Sequence, residues 1–128
     1  MKTICFYFQI HQPFRLKRYR FFFFFFDHYY YDDFSIEEII RRIAEKCYIP
    51  ANRTILDMIK SSGGEFKVAF SISGTAIEQM EIYAPEVIDS FKELAATGNV
   101  EFLAETYSHS LASLADKEEF KDQIRMHK

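Results

Sequence analysis

Three short apolar stretches each end in residues that can handle a hydroxylated substrate: His11 with Gln12, Ser71 with Ser73, and Glu105 with His109. A neutral imidazole donates through one ring nitrogen and accepts through the other, and a carboxylate accepts through two oxygens, so both can hold a hydroxyl in a fixed direction. Glu101 precedes Glu105 by two full alternations of an extended chain, which puts the two carboxylates on one face but roughly 13 Å apart. Singly, a histidine after a strand is a satisfied structural group and a glutamate there is a surface charge. Their weight comes from convergence, and that depends on the elements that carry them.

Those elements read as strands alternating with helices. Residues 3–12, 66–73 and 100–106 are rich in aromatic and β-branched types and are closed by Pro13, by Gly74 and by the polar stretch after Thr106. Between them, Ser35 with Glu38 reads as a capping box for a helix over 35–47, and Asn52 as the cap of a second helix ending near Ser62 before Gly63 and Gly64. Thr75 with Glu78 opens a third helix, Pro85 restarts it towards Gly98, and Asp116 with Glu119 opens a last one. This order predicts βαβ units in a parallel sheet, with right-handed crossovers placing the strands side by side in chain order.

Alternation divides each strand into two faces. Cys5, Tyr7, Gln9 and His11 share one face of the first strand, Ala69, Ser71 and Ser73 one face of the second, and Glu101, Leu103 and Glu105 one face of the third. The opposite faces are apolar throughout. A doubly wound sheet, covered on both sides, would be apolar on both faces; a barrel with a polar upper interior predicts one greasy and one polar face. The expected fold is therefore α/β, the first three βα units of a TIM-like barrel with an incomplete parallel sheet. Three strands leave both sheet edges open, which points to a piece of a larger barrel and to non-specific self-association through those edges.

At 128 residues with 48% hydrophobic and 27% charged side chains, the chain suits one soluble domain, residues 1–128, with a long insertion at about 14–51 after the first strand. The net charge of −3 and the brief cluster Arg15, Lys17, Arg18 and Arg20 give no basic stripe for nucleic acid. No stretch is long and apolar enough for a membrane span or a secretion signal, and Cys5 and Cys47 form no CxxC pair, so a reducing, cytoplasmic setting is expected. Six consecutive phenylalanines, Phe21 to Phe26, interrupt the first connection. They could offer an aromatic platform to sugar rings, or be an altered, aggregation-prone stretch with no role.

Two segments carry a resemblance. FQIHQPFRL, containing His11, Gln12 and Pro13, resembles the first signature of family 57 glycoside hydrolases, and GNVEFLAETYSHSL, from Gly98 to Leu111, resembles the second in its α-amylase-type form. The resemblance implies a retaining enzyme for α-glucans or maltooligosaccharides on a seven-stranded (β/α)7 barrel, needing no metal or other cofactor. It implies that His11 and Glu101 line the pocket beside the scissile bond, with Gln12, Glu105 and His109 as neighbours. The family's nucleophile and general acid/base have no counterpart before Lys128, and Glu101 and Glu105 are too far apart to replace them. No catalytic residue is therefore assigned, and the chain alone is expected to be inactive. Alternatives remain: a metal-dependent deacetylase-like barrel using His11 and His109, a non-catalytic carbohydrate-binding remnant, or a truncated product without independent function.

Overall fold

The computed structural model describes residues 2–18 and 29–128. The Phe21 to Phe26 run lies outside the described residues. Three parallel strands, β1 (Tyr7–Ile10), β2 (Val68–Ile72) and β3 (Val100–Leu103), lie in sequence order, as successive crossovers demand. Helices α1 (Asp33–Ile43), α2 (Ile49–Ser61), α3 (Gly74–Tyr83), α4 (Pro85–Ala96) and α5 (Lys117–His127) complete the chain. Both outer strands have an unpaired edge in this sheet.

The two-faced pattern determines the packing. Ile10, Val68, Phe70 and Ile72 join Ile36, Ile40, Met80, Val87, Phe91 and Leu94 from the helices in one buried cluster. Phe70 anchors it, its ring 5.4 Å from both Phe8 and Phe91 and 6.0 Å from Phe102. On the opposite face, Tyr7 reaches across the sheet to Ser71, hydroxyl to hydroxyl at 2.8 Å. Near the open edges, Phe6, Phe8, Phe102 and Leu103 remain substantially exposed, an aggregation-prone feature when uncovered.

The strands are shorter than their apolar stretches. β2 ends at Ile72; the Ser73 amide still donates to Ile10 O of β1, while the Ser73 hydroxyl caps α3, accepting from the Ala76 amide. Thr75 is therefore not the cap. Nor is Ser35: Asp32 caps α1, accepting from the Ser35 amide at 3.1 Å and the Ser35 hydroxyl at 2.8 Å, and those bonds hold its carboxyl below the ordinary range. Asp116 caps α5 as its sequence pattern indicates, accepting from the Glu118 and Glu119 amides.

Asn52 does not begin a helix either. The helix from Asp33 continues through a π-helical turn at Ala44–Tyr48 directly into α2. Pro50 supplies a cause: its ring excludes the carbonyl four residues back and it has no amide to offer, so the wider turn relieves a clash that an α-helix would impose. Asn52 is consequently buried inside α2, donating to the Ser90 hydroxyl of α4 at 2.8 Å.

Candidate functional site

The polar sheet face carries its chemistry to the C-terminal strand ends. His11 follows β1, and its Nδ1 lies 2.8 Å from the hydroxyl of Ser73, which follows β2. The loop after β3 brings His109 over it, with ring centroids 4.8 Å apart and planes inclined by 38°. Behind them, Gln9 Nε2 lies 3.2 Å from Glu105 Oε2 and 2.8 Å from His109 Nδ1, while that Nδ1 is 2.9 Å from Oε2. One ring nitrogen cannot both accept from Gln9 and donate to Glu105, so the triangle has two hydrogen-bonded states selected by the His109 proton. The side chain of Glu105 is only 11% exposed and that of His109 43%, so the carboxylate is set back and the imidazole meets solvent.

Two features mark this loop as held in place. His109 adopts φ of 52°, a left-handed conformation that costs a non-glycine residue on the order of 1 kcal/mol. Its amide donates to Thr106 O, and Gln123 of α5 accepts from the Ser108 amide and the Ser110 hydroxyl, securing the turn from below. Tyr107 packs against Gly74, donates its hydroxyl to Glu78 and accepts the Thr75 amide through its carbonyl. Burial, reinforced by the Glu78 bond, pushes the Tyr107 phenol up to about 12, so it remains a donor. Glu105 Oε1, by contrast, is buried with no hydrogen-bond partner among the described residues.

The surroundings of His11 favour its neutral form. Burial holds its imidazole below the ordinary value, His109 adds to that, and Glu105 opposes it. Gln12 stands beside His11 but faces elsewhere: its amide donates to the buried Tyr48 hydroxyl at 3.1 Å, and its carbonyl accepts from Gln79 Nε2 at 2.7 Å. Among the described residues no group of three or more His, Cys, Asp or Glu side chains is arranged to hold a metal ion. Cys5 and Cys47 are free and exposed.

The sequence profile of glycosyl hydrolase family 57 matches residues 5–128. The chain belongs to this family. Among family 57 relatives and neighbours, the "Putative alpha-amylase" of Methanocaldococcus jannaschii is 43% identical over 127 residues, covering 98% of this chain and 27% of that protein. The "Alpha-amylase" of Pyrococcus horikoshii is 32% identical over 94 residues, covering 73% of this chain and 14% of that one. The crystal structure of a 4-alpha-glucanotransferase from Thermococcus litoralis superposes with a TM-score of 0.67 at 21% identity, over 97% of this chain and 16% of its own, a likeness of fold. The family 57 chain described here thus spans about a quarter or less of each of these proteins.

Of the residues singled out in the sequence, the fold gathers His11, Glu105, His109 and Ser73 in one cluster. Ser71 sits deeper on the same face, bonded to Tyr7. Glu101 stands apart, opposite Ala69 on β2 and lining a groove of about 540 Å³ at the other end of the sheet with Cys5, Lys67 and Asn99. Sequence patterning did not single out Gln9, Tyr48, Gln79 or Gln123 as partners of the site. Gln9 left a legible trace by sharing the polar face of His11, and Gln79 did so as a polar residue on the buried stripe of α3 beside Ala76 and Met80.

Proposed function

We propose that this chain supplies one wall of the substrate pocket of an α-glucan-acting, retaining glycoside hydrolase built on a (β/α)7 barrel. The observation that carries the proposal is the convergence of His11 from β1 with Glu105 and His109 from the loop after β3 at one sheet end, the place where barrel enzymes bind substrate. Alpha-amylase and 4-alpha-glucanotransferase relatives support the substrate class. His11 and His109 present ring nitrogens to sugar hydroxyls, and Glu105 orients His109. Gln12 fixes the turn after β1 and borders the pocket. Glu101 lies at the other end of this polar face, so its place in the pocket rests on the family resemblance alone.

Glu105 is the one carboxylate among the described residues that joins this cluster. Retention requires two carboxyl groups about 5 Å apart. The 128-residue chain should therefore bind maltooligosaccharides without releasing reducing ends from them. Calorimetric titration with maltohexaose tests the reading, with His11→Ala expected to weaken binding about tenfold, the scale of one lost hydrogen bond in a partly desolvated site. Absence of binding at millimolar sugar, or binding indifferent to His11→Ala, would sink it.

A further inference from the structure

Ser73 lies at the junction of β2 and α3, fully buried, and its hydroxyl oxygen meets three polar atoms. His11 Nδ1 is 2.8 Å away, Thr75 Oγ1 3.2 Å and the Ala76 amide nitrogen 3.3 Å. A hydroxyl has one hydrogen and two lone pairs. The Ala76 amide can only donate, so it occupies one lone pair, and the hydrogen must go to His11 or to Thr75.

Two arguments direct that hydrogen to His11. The His11 contact is the shorter of the two. Ser73 also caps the N-terminus of a ten-residue helix, whose free amides amount to about half a positive charge. Beside that potential, a nitrogen lone pair is favoured over a second N–H. Thr75 then completes the set by donating to the remaining lone pair of Ser73.

We propose that Ser73 is a positioning residue for His11: its hydroxyl donates to Nδ1, locks the imidazole in the Nε2–H tautomer, and leaves Nε2–H as the donor that meets the ligand. Among the described residues no hydrogen bond engages Nε2. Gln79 holds the neighbouring backbone through the Gln12 carbonyl, so ring orientation and proton position are both set from α3. The part that concerns a sugar rests on the pocket reading above, and it deepens that reading: the ligand atom opposite His11 is an oxygen acting as acceptor, not a hydroxyl hydrogen. The tautomer itself does not depend on that reading.

Long-range ¹H–¹⁵N correlation spectra of the full chain labelled at histidine, recorded above the titration range of the rings, test this directly. His11 should show an acceptor-type Nδ1 and a protonated Nε2. Ser73→Ala should lower the tautomer ratio about fivefold, the size of one neutral hydrogen bond, while Ser73→Thr restores it and Thr75→Val, which leaves the Ser73–His11 contact, largely preserves it. A wild-type His11 carrying its proton on Nδ1, or a ratio unmoved by Ser73→Ala, overturns the proposal. If Ser73→Ala does not fold, the wild-type and Ser73→Thr tautomers decide it. Adding maltohexaose separates the two readings. The stated tautomer without any response to sugar leaves Ser73's role standing and removes the pocket; a sugar response from an Nδ1–H ring does the reverse.

Discussion

Replacing Gly74 with alanine pits two well-understood effects against each other. In a helix, alanine is favoured over glycine by up to about 1 kcal/mol. Gly74 opens α3 without a left-handed backbone, so propensity alone predicts a more stable protein. The Tyr107 ring overturns that expectation. A Cβ on Gly74 would fall well inside contact distance of Tyr107 Cδ2 and Cε2, so the ring would have to retreat by roughly 1.5 Å to reach ordinary separation. Retreat strains the Tyr107 bonds to Glu78 and Thr75 and draws on the loop that carries Glu105 and His109. Overpacking of this kind costs about 1–3 kcal/mol, leaving a net loss of up to about 2 kcal/mol after the propensity gain. For a chain of this size that corresponds to a Tm lower by up to roughly 8 °C. Urea unfolding followed by circular dichroism measures it, and the same substitution in a Tyr107→Ala background supplies the control. With the ring gone, Gly74→Ala should become neutral or stabilising. Stabilisation in both backgrounds would refute the close approach and, with it, the account of how the loop after β3 is held.

Two further outcomes follow from other contacts in the fold. By NMR, His11 should titrate below the ordinary histidine value of 6.5; Glu105→Gln should lower its midpoint further, and His109→Gln should raise it. A depressed folded value means that the stability tied to neutral His11 is present above 6.5 and lost as pH falls through the folded midpoint, so acidification should cost the wild type more than His11→Gln. Separately, Asn52→Ala should destabilise the chain by about 1–3 kcal/mol by removing a buried bond between α2 and α4. A double-mutant cycle with Ser90→Ala that shows no coupling would contradict that bond.

Period-two alternation made the sheet legible. It separated the face of Tyr7, Gln9 and His11 from that of Phe8 and Ile10, and chain order then fixed the order of the strands. Caps were legible in kind but not in position. Ser73 belongs by alternation to β2 and keeps its amide bond to β1, yet its hydroxyl caps α3, and Asp32 outcompetes Ser35 because its carboxylate takes both the amide and the hydroxyl of Ser35. The strand-borne half of the candidate site could be read because parallel strands deliver their ends to one place. The helix-borne half could not. Tyr48, Gln79 and Gln123 reach the loops by long-range packing, and no local pattern announces which polar atom a distant helix will meet. Glu101 shows the limit of face assignment, since sharing a face with Glu105 leaves its position along the strand axis unchanged.

The π-helical turn also makes the length of this helix a rotational setting. Ile36, Ile40, Ala44, Tyr48 and Asn52 are all buried, a strict four-residue stride that would drift around a regular α-helix by about 40° per step. A turn holding one extra residue absorbs part of that drift. Tightening Ala44–Tyr48 into ordinary α-helix with every residue kept would turn everything after it by up to about 100° relative to α1. Asn52 would then face away from Ser90, and the Tyr48 hydroxyl would lose its aim at Gln12. The site at the end of β1 is thus phased by how many residues a turn roughly 35 positions downstream holds within its span.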